Sequence, residues 1–324
     1  MRNFQNLKRI LLFIALLFSG CVEHTVTIVV YPDGNFDYDH YAKGDEDDLL
    51  DFDFTLPKGN AWIINTNTNQ GETDDLYYHA FRHFNEHEKI PGSFYLGDSL
   101  PIESLLNHQI DIEFDKSLFS EVYKFNITFK GRDASEKYPK LAQYALDQEN
   151  PPEGWAIEAL TYIFSQSLIE ANIGFNLQPV AEDAMNIWFD KIETKYDNDG
   201  ITTHFDEIMI EGRNIILEIL LENEGIEFSK ILAKNEQFAK NTLSLSDDVF
   251  EYSLIIPGKL YEANADTAFN DTLQWRFGLA DFLENDHILM AVSGNYYESR
   301  KQWTIISIMV LASIIFIFYM LKTV

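Results

Sequence analysis

Four stretches of the chain carry residue types at spacings from which chemistry could be built. The first is Gly97-Asp98-Ser99-Leu100. Ser99 becomes a nucleophile only if a general base reaches its hydroxyl and a third group orients that base. His287, three residues after Glu284, is a base and acid pair late in the chain. The second is "HAFRHFNEH", in which His79, His83 and His87 recur at every fourth position. On a helix they would share a face, with the outer two about 12 Å apart along the axis. Ligands about 2 Å from one zinc ion sit only some 3–4 Å from each other, so at most two neighbours, supplemented by Glu86 or Glu88, could share an ion. The third is "KYDNDGITTHFD", where Gly200 stands at the sharp-turn position of a calcium loop and Asp197, Asp199 and Asp206 are candidate oxygen donors. Lys195 falls where the first acidic ligand belongs, and the closing Glu is missing. The fourth is Cys21, the one cysteine of the chain, whose chemistry depends on what precedes it.

The Gly-Asp-Ser-Leu quartet resembles the serine esterases known by those four letters. In that family the serine follows an apolar parallel strand, and a Gly-rich oxyanion segment, an Asn-Asp block and an Asp-x-x-His come later. Here "IPGSFY" precedes Gly97, and its Pro91 and Gly92 suit a parallel strand poorly. Asn270-Asp271 stands without its Gly, and in Glu284-x-x-His287 the acid is changed. The alternating strand and helix series that builds a parallel sheet is absent. Ser99 reads instead as the cap of a short helix with Pro101 in its first turn, and no catalytic residue is assigned. The three histidines read as a polar face, Asp197 to Gly200 as a turn between helices, and the acidic run "DEDDLLDFD" (45–53) as the start of a solvated loop. No metal and no cofactor is implied.

Cys21 is different. The chain starts with the basic "MRNFQNLKR", continues with the apolar "ILLFIALLF", and reaches the small residues Ser19 and Gly20 directly before the cysteine. That order is the basic, apolar and cleavage region of an export signal. It resembles a bacterial lipobox, with Phe18 in place of the usual Leu. The resemblance implies cleavage before Cys21 and acylation of that residue. A lone cysteine also means that no intrachain disulfide can form.

Composition narrows the partners. Against 24 Lys plus Arg stand 52 Asp plus Glu, for a net charge of −28. Arg2, Lys8 and Arg9 lie within the export-like segment, so the remainder is more acidic still. Such a surface repels phosphate backbones, which argues against nucleic acid as a partner. Hydrophobic residues at 46% and aromatics at 14% suffice for a substantial core.

The elements follow from periodicity. His24, Val26, Ile28 and Val30 alternate along one strand face; "YPDG" turns the chain, and Phe36, Tyr38 and His40 alternate on the return. Phe125, Ile127 and Phe129 mark a further strand. From Asp133 to about residue 246 helical spacing takes over, as in Ile157, Leu160, Phe164 and Leu168. After residue 247 strands return in "VFEYSLIIPG", "DTLQWRFGLA" and "HILMAVSG". The expected fold is α+β: a largely antiparallel sheet drawn from both ends of the chain, with a helical insertion at about 133–246. Residues 303–321 hold no charge, and their expected form is a transmembrane helix with Trp303 and Tyr319 at its interfaces. The organisation expected is then a signal at 1–20, an extracytoplasmic domain at 21–302, the span at 303–321 and a cytoplasmic tail at 322–324. With a single helix as the span, the bilayer would be the inner membrane of a bacterial cell.

"DGNFDYD" after the cysteine resembles bacterial lipoproteins of the LppM type. So does "LIIPGKLYEANADTAFNDTLQWRFGLADFLENDHILMAVS", with Pro257-Gly258 ending a strand, Asn264 beyond it and Trp275 on the next strand. The resemblance covers the two ends of the chain and implies an exported domain that binds lipids or lipoglycans. The expected function is therefore that of a non-enzymatic lipoprotein at the bilayer, binding a lipid, a glycolipid or an envelope protein. A scaffold subunit of an envelope complex and an esterase using Ser99 and His287 are the alternatives. Whether the aromatics enclose an apolar cavity between sheet and helices or simply pack as core is open at this level.

Overall fold

A computed structural model describes residues 22–50, 54, 56–68, 75–86, 88, 108–269 and 271–323. Among these, strands assemble into two sheets. Seven strands form the larger: β1 (Glu23–Val30), β2 (Phe36–Gly44), β3 (Ile63–Thr68), β4 (Leu76–Phe84), β7 (Val249–Ile255), β9 (Thr267–Phe269) and β10 (Thr272–Phe277), in the order β3-β4-β2-β1-β7-β10-β9. Four form the smaller: β5 (His108–Lys116), β6 (Ser120–Phe129), β8 (Lys259–Ala263) and β11 (His287–Tyr296), in the order β5-β6-β11-β8.

Local chemistry accounts for the first hairpin. Pro32 and Asp33 lead into Gly34, whose φ of +88° a β-carbon would oppose, and the Gly34 amide donates to the Tyr31 carbonyl at 3.0 Å. The turn sets β1 against β2 with Val30 opposite Phe36 and Val26 opposite His40. Val26, Ile28, Val30, Phe36, Tyr38 and His40 are all buried, so the alternation in the sequence is the inner face of the sheet.

The two sheets pack face to face. Phe129 of β6 lies 4.7 Å from the Phe277 ring of β10, and Phe125 stacks at 5.8 Å on Trp275. Asn264 ties the layers together: its side-chain oxygen accepts from the Trp275 indole at 3.0 Å and from the Met290 amide at 2.8 Å. The polar residue that follows Pro257-Gly258 is thus a bracket between sheets.

Helices lie between β6 and β7: α2 (Ala134–Lys137), α3 (Pro139–Leu146), α4 (Trp155–Glu170), α5 (Gln178–Lys195), α6 (Asn198–Thr203), α7 (Phe205–Leu217) and α8 (Glu222–Ser244). Leu160, Phe164 and Leu168 of α4 are buried, as their spacing of four requires. Arg132 holds the unit to the sandwich. Fully buried, its guanidinium donates to Thr242 Oγ1 and to the Phe238 carbonyl, both at 2.7 Å, and lies 4.2 Å from the Phe238 ring centroid. Its backbone amide donates to the Phe282 carbonyl of α9 (Leu279–Phe282) at 3.1 Å.

Three expectations are corrected. The strands form two sheets rather than one. The larger is mixed, because β1 pairs in parallel with β7, Glu23 opposite Val249; the α+β class agrees. In the acidic run, Glu46–Leu49 is a one-turn helix (α1) rather than loop, and Leu49 and Phe54 are buried in the core. Hydrophobic anchoring of those two side chains outweighs the solvation of their acidic neighbours. The transmembrane helix expected at 303–321 is also overturned: among the described residues no helix is long and apolar enough to cross a membrane. The chain from Glu298 to Thr323 is helical (α10). Trp303 is exposed on this helix, and the Tyr319 side chain lies outside the described residues.

Candidate functional site

A concave, largely apolar site lies within the helical unit. Alanines build it: Ala156 and Ala159 on α4 and Ala239 on α8 leave space where the larger side chains around them would otherwise meet. Leu141, Trp155, Ile163, Ile201 and Leu243 complete an apolar floor, and the cavity measures about 490 Å³. That lies within the range of about 300–1,000 Å³ typical of small-molecule sites.

The rim is polar and comes from the junction of α6 and α7. Lys240 bonds Glu236 at 2.8 Å and Asp206 at 3.4 Å, and it sits 5.0 Å from the Phe205 ring centroid. Burial disfavours the Lys240 charge, but the hydrogen bond and charge of Glu236, together with Asp206, outweigh this and raise its pKa. His204 contacts Glu207 at 3.3 Å. Asp206 and Glu207 are largely exposed, so the mouth faces water while the floor does not. An apolar trough with one held ammonium at its lip can take a hydrocarbon group and hydrogen-bond a polar head.

A second concentration of chemistry is buried in the sandwich. His24 of β1, His40 of β2 and His108 of β5 are each at most 2% exposed, and Asp248 beside them is 4% exposed. His24 Nδ1 and His40 Nε2 share a hydrogen bond of 3.2 Å, and the Asp248 carboxylate stands 3.9 Å from His24 Nε2. Aromatic rings enclose the group: Phe250 stacks on His24 at 5.0 Å, and Phe54 stacks on His108 at 5.1 Å. Burial, reinforced by the neighbouring His108, lowers the pKa of His24 to about 3. Burial also takes His40 well below its ordinary value, with His24 and His108 adding to the shift. At neutral pH these two rings are therefore uncharged.

The residues singled out by sequence fall elsewhere. His79 and His83 lie on strand β4, not on a helix, and each donates to a carboxylate of β2 at 2.6 Å: His79 to Asp39, His83 to Asp37. His87 lies outside the described residues, and among those described no group of three or more His, Cys, Asp or Glu side chains is placed to hold a metal ion. Asp197 caps α6, its side chain accepting the Gly200 amide at 2.8 Å, so the "DNDG" stretch is a helix start. Ser99, Asn270, Ser19, Gly20 and Cys21 lie outside the described residues. His287 is half-buried on β11 beside Phe277, and burial lowers its pKa; Glu284 accepts instead from the Ser135 amide at 2.9 Å. The sequence reading missed both the groove and His108. Alanines at 156, 159 and 239 are ordinary helix formers, and His108 meets its partners only through tertiary packing. Comparisons with protein-family models, with curated proteins and with solved structures find no match for this chain.

Proposed function

We propose that the protein is a non-enzymatic lipoprotein of the bacterial envelope, anchored through acylated Cys21, that holds the hydrocarbon part of a lipid or glycolipid in the groove between α3, α4 and α8. The observation that carries this reading is the alanine-built apolar trough with Lys240 at its mouth. The lipobox-like order before Cys21 and the resemblance of both chain ends to LppM-type lipoproteins support it. Anchoring adds a physical advantage: confinement near the bilayer raises the effective concentration of membrane-resident ligands, so a modest intrinsic affinity suffices.

Binding of a fluorescent palmitate analogue to the full chain tests the groove. Ala159→Trp, which fills the floor, should weaken binding about tenfold or more while the melting temperature stays near that of the parent. Ala159→Leu provides the milder filling should the larger ring disturb packing. Affinity indifferent to both substitutions would sink the proposal. The anchor has its own readout. Cys21→Ser should abolish incorporation of an alkyne-labelled fatty acid and leave the precursor uncleaved; continued labelling would remove Cys21 from the scheme.

A further inference from the structure

The outer face of the larger sheet carries a second concave site, unrelated to the helical groove. Tyr41 on β2, Tyr77 and His79 on β4, and Asn65 and Asn67 on β3 line a depression of about 350 Å³. Register explains the grouping. Tyr41, His79 and Asn65 form one row across three strands, and Lys43, Tyr77 and Asn67 form the next. With strands about 4.8 Å apart and alternate residues about 7 Å apart, the patch spans roughly 10 by 7 Å, the footprint of one sugar ring with part of a second.

The chemistry of the patch is selective. The Tyr41 and Tyr77 rings lie 6.0 Å apart and tilted by 47°, so together they form a shallow aromatic cradle. Asn is depleted in strands because its amide competes for backbone hydrogen bonds. Nevertheless, β3 presents two, both exposed, on the same face as the tyrosines. Among the described residues neither amide has a hydrogen-bond partner, so each can offer a donor and an acceptor to a ligand hydroxyl. His79 is oriented by its bond to Asp39, and Lys43 is paired with Asp75 at 3.4 Å. In a chain of net charge −28 this face is therefore locally balanced.

We propose that this patch is a binding site for a neutral saccharide. The C–H bonds of a sugar ring face carry partial positive charge and pack against the negative faces of the tyrosines, and the hydroxyls around the ring meet the Asn65 and Asn67 amides and the free nitrogen of His79. An anionic ligand would use only the donor half of each amide and would approach a chain of net charge −28. An apolar chain would leave both amides desolvated without partners. The site shares no residue with the helical groove, so either can fail without the other.

The test uses the full chain in a detergent without a sugar headgroup. Maltotriose, chitotriose and digalactosylglycerol are titrated by saturation-transfer NMR and calorimetry. The expected result is saturable binding of at least one probe, with a dissociation constant on the order of millimolar and with transfer strongest at ring C–H protons. Tyr77→Ala, and Asn65→Ala with Asn67→Ala, should each weaken it about tenfold. Tyr41→Ala is the second variant if Tyr77→Ala lowers the melting temperature. Tyr261→Ala, an exposed tyrosine on β8 of the other sheet, should bind like the parent. Digalactosyl diacylglycerol in micelles separates the sources. Equal binding of this lipid and digalactosylglycerol assigns the site to a sugar chain as such; tighter binding of the lipid, still lost in Tyr77→Ala, assigns it to a glycolipid headgroup. Absence of saturable binding by every probe, or binding that survives both tyrosine substitutions, overturns the proposal.

Discussion

Acidification from pH 7 to about pH 4.5 should cost the sandwich roughly 3 kcal/mol from His24 alone. In the unfolded chain His24 takes up a proton near its ordinary value of 6.5; in the folded protein it does so only near 3. Between those values the unfolded state binds the extra proton, so stability is complete above about pH 6.5 and falls steadily as the pH drops toward 3. The whole interval corresponds to about 5 kcal/mol, at 1.36 kcal/mol per pH unit. His40 shifts in the same direction and steepens the loss. Small domains are stable by only about 5–15 kcal/mol, so the expected result is cooperative unfolding in mild acid. Thermal melts followed by circular dichroism at a series of pH values measure it. His24→Phe keeps a ring against Phe54 and Phe250 but cannot be protonated; its melting temperature should depend less on pH between 6.5 and 4. A parent protein with one melting temperature across that range would show that the buried histidines do not titrate with unfolding.

Gly212→Leu should unfold the helical unit or destabilise it by about 3 kcal/mol or more. Gly212 lies on α7 where it crosses α4 and α5, and a β-carbon there would reach 2.7 Å from Phe164 Cζ and 2.8 Å from Trp188 Cζ2. Both rings are fully buried and pack edge to face at 5.2 Å, so neither can yield without opening the core. Glycine in a helix interior costs about 1 kcal/mol relative to alanine; here it permits an approach of helices that no side chain allows. Because leucine is a far better helix former, propensity predicts stabilisation and packing predicts collapse. Chemical denaturation of the variant decides between them, and a raised midpoint would contradict the packing seen here.

Much of the local structure was legible from pattern. The alternation of Val26, Ile28, Val30, Phe36, Tyr38 and His40 is the buried face of β1 and β2, and the alternation of Phe125, Ile127 and Phe129 is the inner face of β6. The spacing of Leu160, Phe164 and Leu168 is the buried stripe of α4. Each such signal lies within about fifteen residues, because the backbone repeat of two or 3.6 forces side chains onto a common face. The candidate sites were not legible in this way. Ser99 and His79 attracted notice through motif and spacing. His79 proved to be on a strand, paired with Asp39 and set beside two tyrosines and two asparagines that no motif joins.

The primary structure by itself determined β1, β2, β6, β7, β10 and β11, the helical run after Asp133, the acidic balance and the lipobox-like order at Cys21, since each depends on neighbours along the chain. Tertiary structure alone decided that β1 pairs with β7 from the far side of the helical unit, that His108 joins His24 and His40, and that three alanines on two helices face one trough. Such pairings are chosen by the burial of side chains remote in sequence, and their energies arise only once two surfaces meet.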